Sequence, residues 1–334
     1  MKRKWLRISL IIISILVIIY YLGPRPASPV YDPILPAVPQ EAGALEKYIT
    51  SKEARHRLKP DNEARIVWYD SVPRKTKYSV VYLHGFSASQ EEGDPVHKDF
   101  ARRYGCNLFL SRLDGHGIDT SDPLLTMTAR GLWEDAKEAL AIGKSLGEKV
   151  ILMTTSTGGT LALKLAATYP NDIFAIINMS PNIAINNNMI FLANNPWGLN
   201  ITRMVMNGKY MEAKTFSEER SKYWNKRYRL EAIGELQSLV ETTMEPSTFR
   251  KVKQPVLNLY YYKDPEHQDP TVKVSAILWM EKELGTPDSL KEAIAIPGAG
   301  AHVLGCYFVA KDIPAVEKAI DAFAEEKLSL GAKQ

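Results

Sequence analysis

Residues 150–170 read VILMTTSTGGTLALKLAATYP, and the fold of the chain turns on them. A strand-like apolar run reaches Ser156, Gly158 and Gly159 follow, and apolar residues then recur at helical spacing. The stretch reads as strand, tight turn and helix, with Ser156 at the turn. A serine before an apolar helix is commonly its N-cap. A serine held on such a turn is also where a nucleophile is presented. The surrounding sequence has to decide between them.

Working outward, short β-rich runs recur at 65–70 (RIVWYD), 78–83 (YSVVYL), 106–111 (CNLFLS), 149–154 (KVILMT), 173–179 (IFAIINM), 255–262 (PVLNLYYY) and 291–296 (KEAIAI). Helical patterns lie between or after them at about 95–104, 129–146, 157–169, 270–284 and 313–328. Continuously apolar strands alternating with helices predict an α/β fold, a doubly wound, mostly parallel sheet covered on both faces. The rhythm stops from Pro181 to Lys253, a stretch too long for a loop, so 181–253 reads as an inserted helical cap. The folded domain is expected over 44–334. The only cysteines, Cys106 and Cys306, are expected to be buried free thiols.

The N-terminus has a different character. Lys2, Arg3, Lys4 and Arg7 carry all of the formal net charge of +4; beyond them 38 basic residues meet 38 acidic ones. A neutral folded part lacks the basic footprint of a nucleic-acid binder. ISLIIISILVIIYYL, Ile8–Leu22, follows the basic arm, so 1–22 is expected to be a membrane anchor or a signal segment. By the positive-inside rule the rest lies outside the cytoplasm, anchored, or secreted or periplasmic after cleavage. Six prolines in 23–43 predict an extended spacer holding the domain off the membrane.

In a doubly wound sheet, reactive groups stand beyond the carboxyl ends of the strands. At those ends lie HGFSAS (84–89), RLDGHG (112–117), Ser156, the loop YYYKDPEHQDP (260–270) and IPGAGAHVLG (296–305). A serine, an acid and a histidine thus project from one edge in that chain order. A serine hydroxyl needs a histidine to take its proton, and the imidazole needs an acid to hold its tautomer. Ser156 is the expected nucleophile and His302 the base. Two aspartates compete for the acid; Asp264, nearer the strand end than Asp269, is the expected one. The backbone N–H groups of Phe86 and Thr157 are the candidate oxyanion donors. His84 and His116, set in glycine turns, are expected to bind backbone. No metal-ligand spacing and no phosphate-binding loop is present, so no metal or other cofactor is expected.

These residues resemble the α/β-hydrolase superfamily, most nearly its capped serine-hydrolase branch of monoacylglycerol lipases, related esterases and peptidases. His84-Gly85-Phe86, Asp114-Gly115-His116-Gly117, Ser156-Thr157-Gly158-Gly159, Asp264 and His302 carry the likeness, over about residues 65–330. The resemblance implies hydrolysis of carboxylic esters through an acyl-enzyme, and the apolar cap favours lipid-like or medium to long acyl esters as substrates. Thr154 departs from the pattern, since the G-x-S-x-G elbow has glycine there. A peptidase with the same triad and Glu218 or Glu219 on the substrate's amino group is the second reading. A non-catalytic binding protein is the third. The cap stretch 189–206 is expected either to line an acyl site or to pack the cap onto the core.

Overall fold

The computed structural model describes residues 2–213 and 216–333. The strands along the chain are β1 (Arg65–Val67), β2 (Thr76–Leu83), β3 (Asn107–Leu110), β4 (Gly147–Thr155), β5 (Ile173–Met179), β6 (Tyr210–Glu212), β7 (Arg227–Arg229), β8 (Val256–Tyr260) and β9 (Lys291–Ala295). The helices are α1 (Lys2–Tyr21), α2 (Ala42–Glu53), α3 (Val96–Tyr104), α4 (Ala129–Leu146), α5 (Thr157–Thr168), α6 (Gly198–Val205), α7 (Glu218–Tyr223), α8 (Glu231–Thr243), α9 (Pro246–Phe249), α10 (Val274–Glu283) and α11 (Ile313–Glu326). Seven strands form one sheet in the order β1-β3-β2-β4-β5-β8-β9. Only β1 runs antiparallel to its neighbour; the other pairs are parallel because a helix returns the chain between them.

Period-two alternation divides each central strand between two cores. Val81 and Leu83 of β2 and Val150 and Leu152 of β4 face one cluster, built with Trp133 and Leu140 of α4, Leu161 and Leu165 of α5 and Ile277 of α10. Val80, Tyr82, Ile151 and Met153 face the other, built with Phe100 of α3 and Val316, Ile320 and Phe323 of α11. Each such aliphatic side chain, removed from water, contributes about 1.5–3 kcal/mol. The sheet is therefore held rigid, and its carboxyl edge is a fixed platform.

Between β5 and β8 the chain leaves the sheet, as the sequence suggests, with two differences. It includes the antiparallel hairpin β6–β7 as well as helices. Its second half is not a cover: Leu236, Leu239 and Val240 of α8 and Phe249 of α9 are built into the first core. The proline-rich segment is extended yet does not stand free. Tyr31, Leu35 and Val38 pack on that core, and the Asp32, Pro33 and Ile34 carbonyls accept from Trp133 Nε1, Tyr169 Oη and Lys137 Nζ. Ring and ammonium donors on α4 and the loop after α5 thus turn the expected spacer into a strap. Helix α1 extends back through the basic arm, and none of its residues from Arg3 to Tyr21 is buried.

Candidate active site

Ser156 separates β4 from α5 at φ 53°, ψ −113°, a left-handed backbone that costs a non-glycine residue energy and persists only where its surroundings impose it. They do so through a ring of backbone bonds. The Ser156 N–H donates to the Met179 carbonyl at 3.0 Å, and the Ser156 carbonyl accepts from Gly159 and Asn182, each at 2.9 Å. The Ser156 side chain accepts no capping bond from α5, so the N-cap role is not the one it plays.

The close approach that an elbow needs is made on the helix side. A Cβ on Gly158 would lie 1.9 Å from the Leu83 carbonyl oxygen, and one on Gly159 would lie 2.7 Å from Pro181 Cβ. Thr154 meets no such wall. It is fully buried, level with Asn178 in the neighbouring strand, and its hydroxyl donates to Asn178 Oδ1 at 2.7 Å. Asn178 Nδ2 donates to Asn258 Oδ1 at 2.8 Å, and Asn258 Nδ2 to Glu281 Oε2 at 2.6 Å. The side chain that breaks the motif is thus the first link of a buried polar chain from β4 to α10, which the sequence reading missed.

His302 follows β9, and its Nδ1 lies 2.6 Å from Oδ2 of Asp269. The expected acid, Asp264, is corrected here. Its carboxylate lies 2.8 Å from His267 Nδ1, and both side chains are largely exposed, at 42% and 59%. The loop after β8 doubles back on itself: Tyr262 bridges Gln268, the Lys263 N–H donates to the His267 carbonyl, and the Asp269 N–H returns to the Tyr261 carbonyl. Asp264 is left at the tip, and Asp269, five residues on, arrives at the strand end. Burial acts to raise the Asp269 pKa, but His302 and the N–H groups of Val272 and Thr271 outweigh it, so the net shift is downward. The group is a buried carboxylate with its charge fully met.

The two oxyanion candidates come from the loop next to the serine and from the residue after it. Phe86 is in the loop after β2, its ring edge-on to Tyr228 of β7 at 5.1 Å, and Thr157 opens α5. Among the described residues no protein acceptor takes the N–H of either. The loops are fixed by the two glycine-turn histidines. His84 Nδ1 bonds the Gly85 carbonyl, and its Nε2 accepts the Leu113 N–H at 3.1 Å; His116 Nδ1 bonds the Asp114 carbonyl, and its Nε2 accepts the Ser87 N–H at 3.0 Å. Burial pushes His84 well below the ordinary histidine range and His116 down to about 4, so both are neutral cross-braces.

Next to His302 in the chain, Val303 belongs to a small apolar cluster with Cys306, Trp224, Phe216 and Phe308. The 189–206 stretch does neither job expected of it throughout. Met189, Phe191, Met204 and Val205 are exposed, while Trp197 turns back to α1, donating from Nε1 to the Ile19 carbonyl. Glu219 accepts the Tyr307 hydroxyl at 2.7 Å, and both Glu218 and Glu219 are exposed. Cys106 and Cys306 are buried free thiols.

Comparison with known proteins agrees with this architecture. Residues 74–253 match the family model described as serine aminopeptidase, S33. Among solved structures the fold is shared with a metagenome-derived lipolytic enzyme (18% identity, TM-score 0.65, 80% of this chain and 100% of that one). It is shared too with monoacylglycerol lipase of Paleococcus ferrophilus (15%, 0.55, 77% and 98%) and with a soluble variant of monoglyceride lipase of Saccharomyces cerevisiae (13%, 0.57, 80% and 90%). No curated protein matches the chain in sequence.

Proposed function

The chain belongs to the S33 serine aminopeptidase family of α/β-hydrolases, and from that premise we propose that it hydrolyses carboxylic esters with Ser156 as nucleophile, His302 as base and Asp269 as acid. The observation that carries the reading is the buried Asp269–His302 pair, set at the same sheet edge as a serine in an imposed left-handed conformation.

Asp269 fixes the proton on Nδ1, which leaves Nε2 as the basic nitrogen. Ser156 Oγ attacks the ester carbonyl carbon as its proton passes to Nε2. The carbonyl oxygen becomes an oxyanion facing the Phe86 and Thr157 N–H groups, each such donor being worth about 2.7–4 kcal/mol of barrier. Collapse breaks the ester C–O bond, and the leaving alkoxide takes the proton from Nε2 to depart as the alcohol. Water then repeats the sequence on the acyl-enzyme, releasing the acid and restoring Ser156.

Apolar flanks, Phe86 against Tyr228 and Val303 beside Trp224 and Phe308, support a medium to long acyl ester. Of the two cap carboxylates considered for a peptide amino group, Glu219 is taken by the Tyr307 hydroxyl, and both are exposed. Helix α1 is proposed as an anchor: within its 19 residues Arg3–Tyr21 an 18-residue window has a mean hydropathy of 1.9, and at about 1.5 Å per residue the helix approaches the thickness of a bilayer core. By the positive-inside rule the basic arm supports an orientation with the hydrolase outside the cytoplasm.

The test is fluorophosphonate labelling of the full chain, with the adduct located by mass spectrometry. Modification of Ser156 in the wild type, and none in Ser156→Ala or His302→Ala, is expected. A folded wild type that does not label would exclude the reaction.

A further inference from the structure

One carboxyl group beside the site has no part in the reaction above. Glu92 lies in the 3-10 turn Gln90–Gly93 and is 2% exposed. Its Oε2 accepts the Gly85 N–H at 2.5 Å. A Cβ on Gly85 would fall 2.8 and 2.9 Å from the two Glu92 oxygens and 3.1 Å from Ser156 Cβ. Glu92, Gly85 and Ser156 are therefore in one close contact, and Gly85 is the residue before Phe86.

We propose that Glu92 is a positioning residue of the oxyanion loop: its carboxyl group holds the Gly85 N–H and so fixes the turn that aims the Phe86 N–H at the substrate oxygen. The proposal rests on the oxyanion role given to Phe86. Without Glu92 the Gly85 N–H would be a buried donor with no partner, free to pull the turn toward another acceptor. No side chain on Gly85 could coexist with this arrangement.

The charge of the group is set from several elements. Burial raises the Glu92 pKa to about 7, against the Gly85 N–H, His302 and Arg220 of α7, which lower it. Tyr82 of β2 and Cys306 also face it, and burial keeps both neutral. His97 of α3, likewise held neutral by burial, bonds the Gln90 carbonyl of the same turn. As a carboxylate Glu92 is the stronger acceptor, so the loop is held more firmly above neutral pH than below it.

The test compares Glu92→Gln, which keeps an acceptor for Gly85, with Glu92→Ala, which does not. Kinetics are read beside hydrogen exchange of residues 84–89 in the full chain. The alanine variant is expected to lose about 10–100-fold in kcat with KM within about threefold, as a misaimed oxyanion donor requires. It should also exchange faster over 84–89, while the glutamine variant restores most of both. Glu92→Asp withdraws the carboxyl by one methylene, carries the same expectation as alanine and covers an alanine variant that does not fold. Unchanged exchange and kcat in folded Glu92→Ala, or a Glu92→Gln variant as impaired as alanine, would overturn the proposal. Absent Ser156 labelling with the exchange difference intact would instead sink the reaction and leave the hold of Glu92 on the loop standing.

Discussion

Two aspartates of the loop after β8 make a natural controlled comparison. Each precedes a proline, and each uses Oδ1 to accept the N–H groups two and three residues on: Glu266 and His267 for Asp264, Thr271 and Val272 for Asp269. Each also lies within 2.8 Å of a histidine Nδ1. Local chemistry is the same in both. What differs is surroundings: Asp269 is sealed from solvent against a histidine that is 13% exposed, whereas Asp264 and His267 sit in water. In water, an exposed pair is screened by solvent and orients nothing firmly. Excluded from water, the same pair holds an imidazole in one tautomer and meets its charge as it forms. The role proposed for Asp269 rests on burial and position, not on the dipeptide that carries it.

The comparison can be broken most directly by removing each charge in turn. Asp269→Asn is expected to lower kcat/KM for a short-chain ester by about 10³–10⁴-fold. Asp264→Asn should stay within about twofold of wild type. If the two losses are interchanged, the acid has been misassigned.

A second contrast lies in acid stability. The Asp269 pKa is lowered in the folded chain, so its contribution is present above the unfolded value of about 3.9 and is lost as pH falls through the folded value. Denaturant unfolding between pH 6 and pH 2 should therefore show a steeper acid loss in wild type and Asp264→Asn than in Asp269→Asn. Asp264 is shifted the same way, chiefly by its His267 bond, but its exposure to solvent leaves it little leverage.

Smaller effects test the polar chain under the elbow. Thr154→Val keeps shape but leaves Asn178 Oδ1 buried without its donor, an expected loss of about 1–3 kcal/mol in unfolding free energy. Thr154→Gly, which restores the common elbow residue, should be no more stable than wild type and no faster. A gain in stability in either variant would mean that the chain Thr154–Asn178–Asn258–Glu281 is not a stabilising network.

The sequence alone carried the sheet and the order of the site. Continuously apolar runs and intervening helical patterns located each strand of the parallel sheet, because burying both faces leaves little freedom in what those positions hold. Ser156 and His302 were legible for the same reason: each ends a strand whose position was already determined, so its place on the carboxyl edge followed. Asp269, Glu92 and the clamped proline strap were not legible. A loop that folds back places its later aspartate nearer the strand than its earlier one, and no local pattern separates two Asp-Pro turns of the same kind. Glu92 reads as one of several surface acids until the turn buries it against Gly85. Local sequence decides which backbone conformations are open and which faces are apolar. Which of several equivalent polar groups is closed off from water is settled only by long-range packing, and the chemistry proposed here depends on that closure.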